Sequence, residues 1–301
     1  MIRCTSLLEG TGIAVGHFDH PSGDAHHDPA EELASTHSIN LVQRGRFSIQ
    51  VGRRIWEVGP GDIFITYPGL EYRCRHKEEV PSDVCISLEF RPTGEDHPEL
   101  ATFTAIAKSM TVRPATNRMV YLFRKFVPVP SPSILPGLVT NPVAAEEVAG
   151  DLLSEISGER EQPRRSYSQR QLAWYAERVD AARQLLEKNF SVEHSLASVA
   201  RSVGMSMFHF ARIFGELAGT PPHQYLLQVR LNEARRQLRG GASVTESCFS
   251  SGFHNLSHFV RLFHHRFGVS PAQYGRQQAS QPATAIPSCE LRSPTPSTVL
   301  R

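Results

Sequence analysis

Cysteine and long apolar runs are scarce in this chain of 301 residues. The five cysteines are widely separated and include no Cys-x-x-Cys pair, so neither a disulfide framework nor a zinc ribbon is expected. No apolar run approaches the roughly 18 residues of a membrane span, and the first residues lack the basic start and apolar core of a secretory signal. These absences predict a protein of a reducing compartment, the cytoplasm, with no membrane partner.

Motifs of the common enzyme classes are also missing. The glycines of residues 10–16 do not have the spacing of a dinucleotide site, and neither a P-loop nor a Gly-x-Ser-x-Gly nucleophile turn occurs. The acidic pairs are adjacent in sequence and point to different sides of a helix or strand, which suits solvated charge: Glu31-Glu32, Glu78-Glu79 and Glu146-Glu147. An enzyme is the weaker hypothesis, and no catalytic residue or cofactor is expected.

Charge divides the chain into two halves. Residues 1–169 contain 17 Lys and Arg against 22 Asp and Glu, a formal −5, whereas residues 170–278 contain 13 against 7, a formal +6. A basic half suits the phosphate backbone of a nucleic acid, and an acidic half does not. Because the chain is too long for one average domain, we expect an acidic N-terminal domain and a basic C-terminal one.

The most informative feature that is present is an internal repeat of about 48 residues. Each copy has a short apolar-periodic stretch, a glycine able to take a positive φ, and Ser206 or Asn255 as the cap of a second helix. This order predicts helix-turn-helix motifs at about 196–217 and 244–266. Seven positions match after one inserted residue: Gly204 with Gly252, Phe210 with Phe259, Arg212 with Arg261, Phe214 with Phe263, Gly219 with Gly268, Pro222 with Pro271, and Tyr225 with Tyr274.

The second helix of a helix-turn-helix lies in the DNA major groove. Its aromatic residues must point inward, which leaves the other side of the helix to face DNA. A lone arginine would more simply be surface charge, but Arg212 and Arg261 occupy the same repeat position, which favours DNA reading. The predicted DNA contacts are Ser206, Phe208, His209, Ala211 and Arg212 in the first copy, and Asn255, Leu256, Ser257, Val260 and Arg261 in the second.

About 100 residues resemble the DNA-binding domain of the AraC/XylS transcriptional regulators, in the run LASVARSVGMSMFHFARIFGELAGTPPHQYLLQVRLNEARRQLRGG followed by SGFHNLSHFVRLFHHRFGVSPAQY. The specific marks are the tandem motif, a linking helix at 226–238, and the second-copy string from Gly252 to Tyr274. The resemblance implies a domain of about seven helices that places two recognition helices in successive major grooves of promoter or operator DNA. It also makes RNA polymerase a candidate partner.

Two departures from the family pattern lie in the second copy. Ser247 and Cys248 replace the usual aliphatic residue and alanine, and a buried serine needs a hydrogen-bond partner, which we expect to be a carbonyl one turn back. His264 and His265 replace the usual basic pair, which weakens attraction to phosphate at neutral pH.

Histidines in two places raise the question of a metal. His254 and His258 have the i, i+4 spacing of a two-ligand site, but nothing nearby supplies a third ligand, so contact with the DNA backbone is favoured. A second set lies in a stretch whose Pro and Gly content favours a solvated loop: His17, His20, His26 and His27 with Asp19, Asp24 and Asp28. No metal is expected at either place.

Residues 10–95 have the pattern of strands, because apolar residues alternate at 47–51 and 84–90 and turns recur every seven to nine residues. A resemblance to the small cupin-like barrel that often precedes the DNA-binding half in this family lies in QRGRFSIQVGRRIWEVGPGDIFITYPGLEY. The predicted fold class is α+β multidomain, with an N-terminal cupin-like antiparallel β-barrel, trailing helices, and a C-terminal all-α tandem helix-turn-helix domain.

The barrel has three candidate uses. It lacks the clustered His and Glu of metal-dependent cupin enzymes, so a cupin-type enzyme domain fused to a DNA-binding module is the less favoured alternative. It could instead bind a small-molecule effector, or serve only to form a homodimer. Four polar-edged side chains could line a pocket or equally lie in the core: His37, Trp56, Tyr67 and Tyr72.

Helical spacing returns at 115–126 and 142–157. Such an apolar stripe is usually core, but helices after the barrel commonly pair two subunits in the resembled family, so Val148, Leu152 and Ile156 are candidates for a dimer seam. The predicted domains are 1–157, with the barrel at about 10–95 and helices at about 100–157, and 170–278. Residues 158–169 are the expected linker, and 279–301 have the composition of a disordered tail.

We therefore interpret the chain as a sequence-specific DNA-binding transcription regulator that responds to a small-molecule effector through its N-terminal barrel. The effector and the operator are left open by the sequence. Whether such a protein is an activator depends on where its site lies relative to a promoter, and that information is in the DNA.

Overall fold

The computed structural model describes residues 3–10, 12–19, 31–76, 82–91, 98–126, 142–157 and 167–279. The chain divides into two compact units, Met1–Arg183 with Ala200–Pro221, and Gln184–Val199 with Pro222–Arg301. This division differs from the predicted boundary near residue 170, because the second helix of the first repeat copy is grouped with the N-terminal residues. Residues 158–166 of the predicted linker and residues 280–301 of the predicted tail lie outside the described residues.

The described strands of the first unit form two antiparallel sheets. The strands are β1 (Arg3–Glu9), β2 (Ile13–Asp19), β3 (Glu32–Leu33), β4 (His37–Arg44), β5 (Phe47–Val51), β6 (Arg54–Val58), β7 (Asp62–Thr66), β8 (Glu71–Arg75), β9 (Val84–Phe90) and β10 (Val112–Pro114). The six-stranded sheet has the order β1-β2-β9-β4-β7-β10, and the four-stranded sheet has the order β3-β8-β5-β6.

The two sheets share an apolar core. Val42 and Cys85 of the six-stranded sheet pack with Phe47, Ile49 and Val58 of the four-stranded sheet. The predicted antiparallel, cupin-like class is confirmed, but the described strands form two sheets and do not close into a barrel. The alternation of apolar residues did not distinguish the two arrangements, because both bury one face of each strand.

Three helices follow the strands in the described residues: α1 (Pro98–Ser109), α2 (Asn117–Phe123, continued by a 3-10 turn at Arg124–Phe126) and α3 (Pro142–Ser157). Helix α3 packs against α1, α2 and β2. Leu152 and Ile156 are fully buried within the chain, and Val148 is half-buried. The predicted dimer seam is therefore wrong for Leu152 and Ile156, because these side chains complete the core of their own chain.

Seven helices complete the described part of the chain: α4 (Gln169–Lys188), α5 (Leu196–Ser202), α6 (Met207–Ala218), α7 (Pro222–Arg239), α8 (Val244–Ser250), α9 (Leu256–Phe267) and α10 (Pro271–Ala279). Both predicted helix-turn-helix motifs are present, as α5 with α6 and α8 with α9. The second unit has its own core, which is made of Leu231, Ala234, Leu238, Cys248, Phe253, Phe259 and Phe263.

The α+β multidomain class predicted from the sequence is confirmed by these elements. Within the described ranges, no helix combines the length and the apolar character that crossing a membrane requires.

Candidate nucleic-acid interface

The first motif consists of α5, a glycine turn and α6. Gly204 has a φ of 68°, which glycine adopts without strain, and the Met205 backbone N donates to the Ala200 carbonyl at 2.9 Å to close α5. Ser206 has the extended backbone of an N-cap, but its hydroxyl makes no capping bond within the described residues. The inward face of α6 is apolar and buried, at Phe210, Ile213, Phe214 and Leu217.

The second motif has side-chain caps on both of its helices. Ser243 Oγ accepts a hydrogen bond from the Glu246 backbone N at 3.1 Å at the start of α8. Asn255 Oδ1 accepts from the His258 backbone N at 2.8 Å at the start of α9. The predicted cap at Asn255 is confirmed, and it sets where the recognition helix begins.

Most of the predicted contact residues lie at the surface. Phe208 is 81% exposed, and a large aromatic side chain gains free energy when a partner covers it. Helix α6 therefore has an apolar site that suits the methyl group of thymine. Ala211 and Val260 are half-buried, and the exposed members of the set are Ser206, Phe208, Arg212, Asn255, Leu256, Ser257 and Arg261.

His209 does not lie where the sequence predicted. It is half-buried, its ring meets Tyr175 of α4 edge-on at 5.3 Å, and its Nε2 is buried without a hydrogen-bond partner among the described residues. The spacing of phenylalanines on α6 did not indicate this burial, because the residue that covers His209 is Tyr175 of a different helix, α4. The prediction that His209 faces DNA is wrong in this arrangement.

The two repeat arginines are both exposed but have different surroundings. Arg212 Nη1 donates to the Tyr167 hydroxyl at 2.9 Å and lies 3.7 Å from Glu216 Oε2. Arg261 makes no hydrogen bond or ion pair with a described residue. The guanidinium of the second motif is thus available to a base or phosphate, whereas that of the first motif already has protein partners.

The second unit has a basic balance. Its described residues, 184–199 and 222–279, include eight Lys and Arg against four Asp and Glu, a formal +4. The last turn of α9 also carries His264, His265 and Arg266, all exposed. This charge suits attraction to a phosphate backbone.

Ser247 of α8 is fully buried, as the sequence predicted. The predicted partner is wrong, because Ser247 Oγ has no hydrogen-bond partner among the described residues. Neighbouring Ser250 does bond the carbonyl one turn back, that of Glu246, at 2.6 Å. Helix α8 thus has a serine bonded to the carbonyl one turn back, but that serine is the exposed Ser250 and not the buried Ser247.

His254 and His258 are both exposed. His254 Nε2 lies 3.4 Å from Glu193 Oε1, and both side chains are exposed. In the described part of the chain, no three His, Cys, Asp or Glu residues come together in a group that could hold a metal ion. Of the N-terminal set, only His17 and Asp19 are described, and His20, Asp24, His26, His27 and Asp28 lie outside the described residues.

A cavity of about 560 Å³ opens beside the four-stranded sheet. The Tyr72 hydroxyl in its wall donates to Glu32 Oε2 at 2.8 Å, and burial together with the Glu32 charge raises the pKa of Tyr72. Arg73 Nη2 lies 3.6 Å from Glu31 Oε1. The lining combines aromatic, amide and charged groups: Glu31, Gln50, Val51, Gly52, Tyr67, Gly69, Leu70, Glu71, Tyr72 and Arg73.

Two of the four predicted effector residues line this cavity, namely Tyr67 and Tyr72. Trp56 is half-buried on β6 and is not part of the lining. His37 is directed to α1, where its Nε2 lies 2.9 Å from Thr104 Oγ1, and burial lowers its pKa. The grouping of His37 with the tyrosines is wrong, because His37 lies on β4 of the six-stranded sheet and contacts α1, whereas Tyr72 lies on β8 of the four-stranded sheet.

Two family models match the chain. The model described as an AraC-like ligand binding domain matches residues 14–88, and the model described as a helix-turn-helix domain matches residues 199–277. The first range covers β2 to β9, and the second covers both motifs with α7 and most of α10. The two halves that the charge and repeat patterns separated are thus matched by two different models in the order predicted.

Several proteins are similar to about a third of this chain. The HTH-type transcriptional activator RhaS of Shigella boydii is 35% identical over 36% of this chain and 39% of its own length. The transcriptional activator NphR of a Rhodococcus species is 33% identical over 34% of this chain and 31% of its own length. The match therefore spans about a third of each relative.

A solved structure is also similar to part of this chain. It is a transcriptional regulator from Chromobacterium violaceum, described by its AraC-type DNA-binding domain, with 29% identity over 36% of this chain and 97% of that chain, and a TM-score of 0.34. The repeated helix-turn-helix motif, the ligand-binding model before it and the two transcriptional activators lead to one assignment. The chain belongs to the AraC/XylS family.

Proposed function

We propose that this protein is a sequence-specific DNA-binding transcription regulator that reads DNA through α6 and α9. The observation that carries the proposal is the pair of exposed arginines, Arg212 and Arg261, at one repeat position of two recognition helices. An arginine that bonds guanine O6 and N7 discriminates against other bases by about 1 to 3 kcal/mol. The basic second unit adds attraction to phosphate that does not depend on sequence.

The N-terminal sheets are proposed as the effector-responsive half, with the cavity at Tyr67 and Tyr72 as the effector site. Its size and its mixture of aromatic and polar groups suit a small polar molecule. An effector acts only if it binds one arrangement of the protein more tightly than another, since equal affinity would shift nothing. The match to an AraC-like ligand binding domain supports this assignment.

The proposed function also implies partner molecules and a cellular compartment. The relatives named above are activators, so we propose activation at a promoter, which makes RNA polymerase a partner, and a homodimer formed by the N-terminal half. A cytoplasmic site follows from a DNA partner and agrees with Cys4, Cys74, Cys85 and Cys248, which form no disulfide among the described residues. Relatives that are regulators favour this function over the alternative, a cupin-type enzyme.

The test is a titration of full-length protein on DNA selected from a random pool, comparing wild type with Arg261→Ala. Loss of a base contact is expected to weaken binding by about 1 to 3 kcal/mol and to relax discrimination at one base pair. Arg54→Ala is the matched control, because it removes one exposed positive charge from β6. Equal binding by wild type and Arg261→Ala would contradict base reading by α9, and an equal loss on all sequences would make Arg261 a phosphate contact.

A further inference from the structure

Glu216, one helical turn after Arg212 on α6, is bound by residues from outside the helix-turn-helix. Its Oε1 accepts a hydrogen bond from Asn117 Nδ2 at 2.7 Å, and its Oε2 accepts one from the Tyr167 hydroxyl at 2.7 Å. Asn117 is the first residue of α2, and Tyr167 lies just before α4. Both oxygens of this largely buried carboxylate are therefore held by the sheet-bearing half and by the predicted linker.

Tyr167 connects these groups. Its hydroxyl also accepts from Arg212 Nη1 at 2.9 Å, and its backbone N donates to Asn117 Oδ1 at 3.2 Å. Burial and the hydrogen bond to Glu216 raise the pKa of Tyr167, so the hydroxyl keeps its proton at neutral pH. These four residues, Asn117, Tyr167, Arg212 and Glu216, are the Glu216 cluster.

Close packing between α2 and α6 surrounds the cluster. Gly219 ends α6 with a φ of 75°, and a Cβ at this position would overlap the guanidinium of Arg118. Arg118 Nη2 in turn lies 2.9 Å from Asp151 Oδ2 of α3, and α3 contacts β2. Helix α6 thus belongs to a contiguous set of packed elements that begins at the six-stranded sheet.

The cluster competes with DNA for Arg212. Reading guanine takes two N–H groups of one guanidinium in a plane, and Arg212 Nη1 is already bonded to Tyr167. Glu216 adds a carboxylate 3.7 Å away, which offers the positive charge a partner before DNA arrives. Arg261, at the same position of the second motif, has no such competitor among the described residues.

We propose that the Glu216 cluster is an autoinhibitory contact, which restrains Arg212 and α6 in the DNA-free protein and opens when the first motif reads DNA. This inference rests on the proposed function, since it requires α6 to bind DNA. A state of the N-terminal half that withdraws both Asn117 and Tyr167 removes the hydrogen bonds that hold Glu216 and Arg212. Because coupling is reciprocal, DNA bound at α6 favours the same released state.

The test is Tyr167→Phe in the full-length protein, titrated on DNA selected with wild type. The variant keeps the ring contact with Tyr175 but removes the hydroxyl, and the remaining Arg212–Glu216 pair is a weak i, i+4 pair 3.7 Å apart whose arginine is exposed. Tighter binding is expected, on the order of three- to tenfold, as for the loss of one competing charge-assisted hydrogen bond. Tyr175→Phe is the matched control, because that hydroxyl has no partner among the described residues.

The melting temperature of Tyr167→Phe is expected to be equal to or lower than that of wild type. Tighter DNA binding by the variant then reflects the release of Arg212 and not a more stable protein. Combining Tyr167→Phe with Arg212→Ala should abolish the tightening relative to Arg212→Ala alone, since the effect acts through Arg212.

Two results would overturn the inference while leaving the proposed function intact: wild type binds selected DNA but Tyr167→Phe binds no more tightly, or the tightening persists without Arg212. If wild type enriches no DNA sequence, the proposed function fails, and the autoinhibitory contact fails with it.

Discussion

Ser247 is a buried polar residue of the second motif, and its replacement by alanine is expected to stabilise the protein. Its side chain is fully buried in α8, and its Oγ has no hydrogen-bond partner among the described residues. A buried hydroxyl without a partner costs about 1 to 3 kcal/mol, whereas alanine has nearly the same shape and a better helix propensity. Ser247→Ala is therefore expected to raise the free energy of unfolding by about 1 to 2 kcal/mol.

The assay is urea unfolding followed by circular dichroism, supported by thermal melting. Ser250→Ala is the control on the same helix, because Ser250 Oγ donates to the Glu246 carbonyl at 2.6 Å and the side chain is exposed. We expect Ser250→Ala to be neutral or slightly destabilising. A Ser247→Ala protein that is less stable than wild type by 1 kcal/mol or so would refute the reasoning, since the hydroxyl would then be contributing a favourable bond.

Two further substitutions separate stability from DNA binding. Gly252→Ala is expected to lower the free energy of unfolding by about 2 kcal/mol or more, because φ is 83° and the new Cβ would lie 2.8 Å from Ser191 Cα. Gly268→Ala, with a φ of 73° and open space around the new Cβ, should lower it by only about 1 kcal/mol. Equal losses in thermal unfolding would contradict the steric argument. Phe208→Ala should change the free energy of unfolding by less than about 0.5 kcal/mol, since the side chain is 81% exposed, yet weaken DNA binding measurably; unchanged affinity would remove Phe208 from the interface.

The helix-turn-helix motifs could be predicted because their signals are local. A glycine that ends one helix, a capping residue that starts the next and phenylalanines at helical spacing all lie within about 20 residues, and the chain repeats them. The structure has α5, α6, α8 and α9 within a residue or two of the predicted bounds. Agreement between two copies is also the reason for predicting a DNA-reading role for Arg212 and Arg261, which otherwise resemble ordinary surface charge.

The residues that were placed wrongly depend on contacts between distant parts of the chain. His209 is covered by Tyr175, and Leu152 and Ile156 are buried in their own chain, but an apolar stripe does not indicate which element will cover it. Asn117 and Glu216 are 99 residues apart, and no local pattern pairs an amide in the first turn of α2 with a carboxylate on α6. Their hydrogen bond could be recognised only from the structure.

The central claim, that both repeat copies read DNA bases, is tested most directly by selecting binding sites from random DNA with the full-length protein at moderate salt. The account predicts an enriched motif with two conserved boxes about one helical turn apart, one for each recognition helix. A single conserved box would contradict tandem reading, and enrichment of no sequence would contradict sequence-specific DNA binding itself.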